Sequence, residues 1–401
     1  MPNLFAMFTG LAKDTWWAQL PASRKLDSLP FIFKRFSNAG YLTTYIEDYP
    51  HCGLFTFHGV KGFSGRPPTE YYLRPVNLWL RRKSLYDHTW CTGGQLEMEY
   101  YYDYILEQMA AFRDRHQPHL TWIHQSTVSH EEVNNCQWAD GPVVRLLERL
   151  FAGGHHRNTV IAFYSDHAIR IGKILETESG FHETRLPFLY LYAPEELRLK
   201  SDSDGELLKS KQLRAILAEN SRRLTSHMDV HATLRHLLTG QPPTDEPLGR
   251  SLFTPIPEER TCPQAGVPEE YCLCKRFVAL GADHRTARAI AGKLVAGLNE
   301  QLRQSPEYVV KCAALSLDRV VTAKIAFSGV DQGEKKALVN LRQALVSLVF
   351  TVLPSGAKFD ATVRTTFING KVGGGEDASK DVLRVDLNAT AAVGKIARND
   401  R

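Results

Sequence analysis

No apolar run in this chain approaches the ~20 residues that a membrane-spanning helix needs, so the sequence contains no candidate span. No charged leader precedes an apolar segment either, since Met1 runs straight into Pro2-Asn3-Leu4-Phe5 and the signal-peptide pattern is missing. Charge of one sign is also scarce. The net charge is only +5, and the basic clusters Arg81-Arg82-Lys83 and Arg222-Arg223 are short solvated stretches, so nucleic acid is not an expected partner. Internal repeats and low-complexity tracts are absent, and 43% hydrophobic with 23% charged residues excludes a disordered chain. Cysteine is sparse and odd in number: Cys52, Cys91, Cys136, Cys262, Cys272, Cys274 and Cys312.

The cysteines carry a first positive reading. Cys262 to Cys274, with Pro263, Gly266 and Pro268 between, is expected to be a small disulfide-pinned loop. Zinc is the competing reading, but three cysteines without a fourth ligand nearby fall short of a zinc set. A disulfide implies an oxidising, secreted context, and the sequon Asn388-Ala389-Thr390 agrees with a glycoprotein.

At 401 residues the chain exceeds the usual single domain. Residues 27 to 50 read as helix, Gly40 break and strand Tyr41 to Ile46. Residues 50 to 92 are an irregular excursion. Gln95 to Arg115 has helical periodicity, Pro118 stops it, and His119 to His124 is the next strand. Gly141 to Phe151 reads as a helix with Asp140 as N-cap and Pro142 in its first turn. Buried strands over 159–164 and 187–192 and a helix over 228–238 follow. This alternation predicts an α/β fold with a mostly parallel sheet flanked by helices. Beyond it, helix 286–304 and strand-like 315–327, 337–353 and 359–368 predict a smaller C-terminal α+β unit. The expected division is 1–240, a cysteine-containing connector 241–275, and 276–401.

The most informative residues are Ser165-Asp166-His167, directly behind the strand 159–164. Open α/β sheets place ligand crevices at strand C-terminal ends, and an oxygen and a nitrogen donor fixed there suit a zinc-type ion. Taken alone, the dipeptide reads more readily as a turn cap with a surface histidine, so the surrounding sequence must decide. His130 lies behind the strand 119–124, so parallel neighbours would bring it to the same edge. His227 and His231 stand four apart on one helix face but lack the Glu directly after the first His that a zinc protease uses. His231 is expected in a packed face, and His155-His156 in an exposed loop. Thr43 and Thr44 are explained by strand propensity. Glu47 and Asp48 stand at a strand end and can approach the site or simply mark a turn.

An ordered series of stretches extends this. It comprises Gly40 to Asp48, Gly62-Phe63, Pro68 to Tyr72, Ser129-His130 with Asn134 and Asp140, and Asn158 to Ile161 running into Ser165-Asp166-His167. Arg170-Ile171-Gly172, Gly180 with Glu183 to Pro187, Asp229 to Leu234, Gly249 to Phe253, Arg260 to Cys262, Cys272-Leu273-Cys274 and Pro354 to Phe359 continue it. The series resembles the sulfatase and alkaline-phosphatase-like superfamily, and within it the extracellular DUF229 branch, over most of residues 1–370.

The resemblance implies an alkaline-phosphatase-like fold and metal-assisted cleavage of a sulfate or phosphate ester. Asp166 and His167 would hold a divalent ion of zinc or calcium type, and His130 would ligate a second ion or hydrogen-bond the ester. The alternative is a secreted, non-catalytic protein that keeps the fold and binds an extracellular ligand. Two departures from the family pattern matter. The superfamily's first core strand carries an Asp ligand and a Ser, Thr or Cys nucleophile, and no such strand is legible before Lys25. Asn3-Leu4-Phe5 with Phe8-Thr9-Gly10 resembles the stretch that follows the nucleophile, so the chain is expected to start inside the domain and to be inactive as it stands. In addition, Ala168 replaces the glycine usual after Asp-His, which would strain the turn by roughly 1 kcal/mol or more if that position needs positive φ.

Overall fold

The computed structural model describes residues 2–327 and 341–368, apart from 57–58, 84–89, 93, 131, 171, 203–204, 276, 305–307 and 309–310, together with 382–385 and 392–396. The sequon at Asn388 lies outside the described residues. The chain forms two units, Met1–Ile169 with Pro187–Gly266, and Arg170–Leu186 with Val267–Arg401.

The first unit is built around aromatic side chains. Helix α1 (Pro2–Thr9) buries Leu4, Phe5, Met7 and Phe8. Phe5 stacks on Trp16 at 4.2 Å, and Phe8 meets Phe33 of α2 (Ile32–Asn38) at 4.9 Å and Trp122 at 4.7 Å. Such ring pairs add directional contacts to the area they bury. Strand β1 (Leu42–Glu47) is buried along nearly its whole length because it is central: β2 (Tyr71–Tyr72) and β3 (His119–His124) flank it, both parallel. Its buried hydroxyls are matched, Thr43 donating to Glu70 and Thr44 to Gln108 at 2.8 Å. The pairing Glu47↔His124 sets the C-terminal ends of β1 and β3 level.

Helices α3 (Glu97–Asp114) and α4 (Gln137–Ala152) follow the periodicity of the sequence, with one correction. α4 starts at Gln137, so Asp140 is not its cap and Pro142 lies inside it. Turns that bond Gln137 to Asn134 and Trp138 to Asn135 extend the helix backwards. The larger correction concerns the sheet. β4 (Ile161–Tyr164) pairs antiparallel with β5 (Leu189–Tyr192), and the parallel pairings among the described residues are those of β1. The fold is therefore mixed α/β with a small parallel sheet. Nor is the β4–β5 pair buried, since Phe163 and Tyr190 are 42% and 68% exposed.

Helix α5 (His227–Thr239) opens with a capping box from Ser226 and Asp229 and closes on Gly240 at φ 72°. The second unit is an antiparallel sheet of β6 (Val278–Ala279), β7 (Ser316–Phe327), β8 (Leu341–Leu353), β9 (Lys358–Ile368), β10 (Val382–Val385) and β11 (Ala392–Ile396). Helix α6 (Arg285–Gln304) covers it. Its buried residues Ala287, Ile290, Ala291, Leu294 and Val295 form a single helical stripe against Val346, Leu348, Phe350 and Val363. Cys262 and Cys272 are disulfide-bonded, which closes the expected loop and leaves no thiolate set for zinc. No helix among the described residues is long and apolar enough to cross a membrane.

Candidate functional site

Asp166 and His167 leave the end of β4 together. The His167 backbone N–H donates to Asp166 Oδ1 at 2.9 Å, and Nδ1 of the ring donates to the Ala168 carbonyl at 2.7 Å. In the neutral ring that bond leaves the lone pair on Nε2, which lies 3.4 Å from Asp166 Oδ2. Both side chains are largely covered yet reachable, at 14% and 20% exposure. Ala168 is not strained, since the positive-φ non-glycine residues among those described are Arg24 and His116. The expected penalty for losing glycine there is absent.

Neighbouring elements hold the pair in place. From α1, Asn3 Nδ2 donates to the Asp166 carbonyl at 2.6 Å. From β3, Trp122 Nε1 donates to Tyr164 Oη at 2.6 Å, and His124 Nδ1 contacts the same oxygen at 3.1 Å. These bonds bring the end of β4 to the edge where β1 and β3 end, although the strands are not sheet neighbours. From the first turn of α5, the His227 ring reaches the backbone of Ser165 and Asp166.

The electrostatics follow from this crowding. Burial alone would raise the Asp166 carboxyl, but His167, His124 and His227 hold it below its ordinary value. Burial pushes the His227 ring down to about 4 and the His124 ring down as well, against the pull of Asp166 on both. An ionised Asp166 carboxylate beside His227 and His124 rings that burial keeps neutral suits metal binding at this edge.

Alternation along β1 separates Glu47 from Asp48. Glu47 turns into the core, accepts from the Leu54 N–H at 2.8 Å, and burial lifts its carboxyl to about 8. Asp48 turns to the β3 loop, accepting from Ser126 N at 2.9 Å and Thr127 N at 3.1 Å. Ser126 in turn accepts from the His130 N–H at 2.8 Å. Asp48 thus positions the loop that carries His130. His130 itself is exposed, and its charge is felt by His124.

The remaining candidates are structural. His231 donates through Nδ1 to the Met7 carbonyl at 3.1 Å and faces Glu246 at 3.4 Å, away from His227's partners. His155 is buried, contrary to the loop expectation, and His156 stacks on Phe151 at 4.5 Å. Sequence reasoning did not single out His124, and it named His227 and Asn3 without assigning them to the Asp166 turn. Only His124 had a usable signal, as the last residue of the strand beside β1.

Among the described residues no third carboxylate, imidazole or thiolate donor gathers with Asp166 and His167 at metal-sharing distance. The pair supplies two of the four positions of a tetrahedral site.

Fold and site together define a mixed α/β protein with a two-donor Asp-His edge at the end of a strand. Residues 1–321 match the family model described as "Protein of unknown function (DUF229)", and the chain belongs to that family. No curated protein matches the sequence.

Proposed function

We propose that the chain carries a metal-assisted ester-cleaving site of the sulfatase and alkaline-phosphatase-like type, with Asp166 and His167 as one half of the ion site. The observation that carries this reading is the His167 Nδ1–H bond to the Ala168 carbonyl, with Nε2 3.4 Å from Asp166 Oδ2. Metal-ligating histidines characteristically donate their other ring nitrogen to such an acceptor. The donor types fit an ion of zinc or calcium type. Held by Asp166 and His167, such an ion would supply Lewis acidity toward a sulfate or phosphate oxygen and toward an oxygen nucleophile. Asn3 and His227 fix the backbone of the ligand turn, and in this reading the exposed His130 would hydrogen-bond an ester oxygen. The Cys262–Cys272 disulfide supports an extracellular setting.

The two-donor count favours a second reading, a secreted protein that binds an extracellular ligand without cleaving it. Elemental analysis and thermal unfolding with zinc, calcium, magnesium or manganese separate these outcomes. Wild-type protein is expected to retain a divalent ion, and a hundredfold excess over Kd stabilises it by about 2.7 kcal/mol. Asp166→Ala and His167→Ala are expected to lose both effects. No retained metal and no stabilisation in wild type contradicts metal binding. Hydrolysis of aryl sulfates or aryl phosphates by the metal-loaded chain, lost in both variants, excludes the second reading.

A further inference from the structure

The second unit carries a pocket of about 260 Å³. One wall is the segment running from Leu175 to Arg185, and the other is the sheet face turned away from α6. Strand alternation produces this division: Val346, Leu348 and Phe350 pack under α6, while Ser347 and Val349 line the pocket. Gly180 keeps the first wall compact, because a Cβ there would lie 2.0 Å from the Ile174 carbonyl oxygen.

Arg185 is anchored but not saturated. Its Nε donates to the Glu270 carbonyl at 3.0 Å, and Nη1 donates to the Phe181 carbonyl and to Thr184 Oγ1 at 3.2 and 3.1 Å. The guanidinium lies over the Phe181 ring at 4.1 Å. Nη2 faces Asp360 Oδ2 at 4.0 Å, too far for a direct hydrogen bond. Burial raises the Asp360 carboxyl despite Arg185, as expected of an acid without a close partner.

A hydroxyl is the small group that accepts from a guanidinium and donates to a carboxylate at once. The pocket's charges are otherwise balanced. Lys324 pairs with Glu178 and Lys358 with Glu176, so no surplus charge recruits an ion. Thr322 and Ser347 add hydroxyls to the sheet wall. The volume lies just under the ~300–1,000 Å³ of sites for drug-sized ligands, a size for one sugar ring.

We propose that this pocket binds a neutral polyhydroxyl ligand, a single monosaccharide unit, with Arg185 donating to its hydroxyls and Asp360 accepting from them.

Saturation-transfer NMR on the full chain tests this with glucose, galactose, mannose and N-acetylglucosamine. At least one sugar is expected to bind saturably. Asp360→Asn, which keeps the volume, should weaken it by about tenfold or more, the loss of one hydrogen bond to a charged group. Ser347→Ala should weaken the same sugar, and unfolding midpoints verify that each variant is folded. Sodium sulfate and sodium acetate should not compete. Absence of saturable binding by any of the four sugars, undiminished binding in the folded variants, or displacement by sulfate or acetate overturns the proposal.

Discussion

Asp229→Ala is expected to lower the free energy of unfolding by about 3–5 kcal/mol, the cost of breaking a buried ion pair from one side. Asp229 is fully buried at the start of α5. It takes a bidentate pair from Arg260 at 2.8 and 2.9 Å and accepts the backbone N–H groups of Ser226 and Arg250, each at 2.7 Å. Arg260, with a side chain only 3% exposed, also donates to the Leu224 and Leu248 carbonyls. Removing the carboxylate leaves a buried guanidinium short of its counter-charge and two backbone donors without their acceptor. Thr233 and Gly249 extend the network. Thr233 Oγ1 donates to the Asp229 carbonyl and accepts from Leu252 N, while a Cβ on Gly249 would lie 2.4 Å from the Met228 carbonyl oxygen. Urea unfolding of Asp229→Ala, Arg260→Ala and the double variant measures the coupling. Strong single effects with a double variant well short of their sum are expected. A loss under about 1 kcal/mol in Asp229→Ala contradicts the account.

Stability is also expected to fall steeply as pH drops from 6.5 to 4. His236 donates through Nε2 to the Lys200 carbonyl at 3.1 Å, and in the neutral ring Nδ1 accepts from the Ser251 hydroxyl at 2.9 Å. Both ring nitrogens are thus paired in the neutral form, and burial disfavours the charged one. Burial pushes His236 and His231 from 6.5 down to about 4. Between those values the unfolded rings hold protons that the folded rings refuse. The unfolded state therefore binds more protons, and stability decreases with falling pH until both rings protonate near 4. A shift of that size is worth on the order of 3 kcal/mol for each ring. Glu47 opposes the trend, because its raised carboxyl makes the fold more stable as pH falls from about 8 toward 4.5. Two rings outweigh one carboxyl. Urea midpoints from pH 7 to 4.5 should show the loss, and His236→Gln should flatten it. Equal slopes in wild type and variant would rule out the role given to His236.

Much of this was legible because the signals are local. Periodicity locates α3, α5 and α6, and the apolar run before Ser165 marks β4. The Asp166-His167 pair stands where a strand end was expected. What the sequence could not show is long-range. The antiparallel partner of β4 depends on Leu189–Tyr192 returning along it, and nothing in either segment encodes that direction. His124 and His227 reach Asp166 across 42 and 61 residues of chain, so neither looks functional in its own neighbourhood. The segment 170–186 reads as part of the first domain but packs with the second unit, and no composition shift marks the crossing. Asp229 to Leu234, read as a family motif, proves to be a structural knot whose partners lie around Arg250 and Arg260.

The most direct test of the metal half-site is anomalous diffraction from crystals grown with zinc or manganese. The account predicts one peak bonded to both Asp166 Oδ2 and His167 Nε2 at about 2.0–2.2 Å. Ions elsewhere with none on this pair would contradict it.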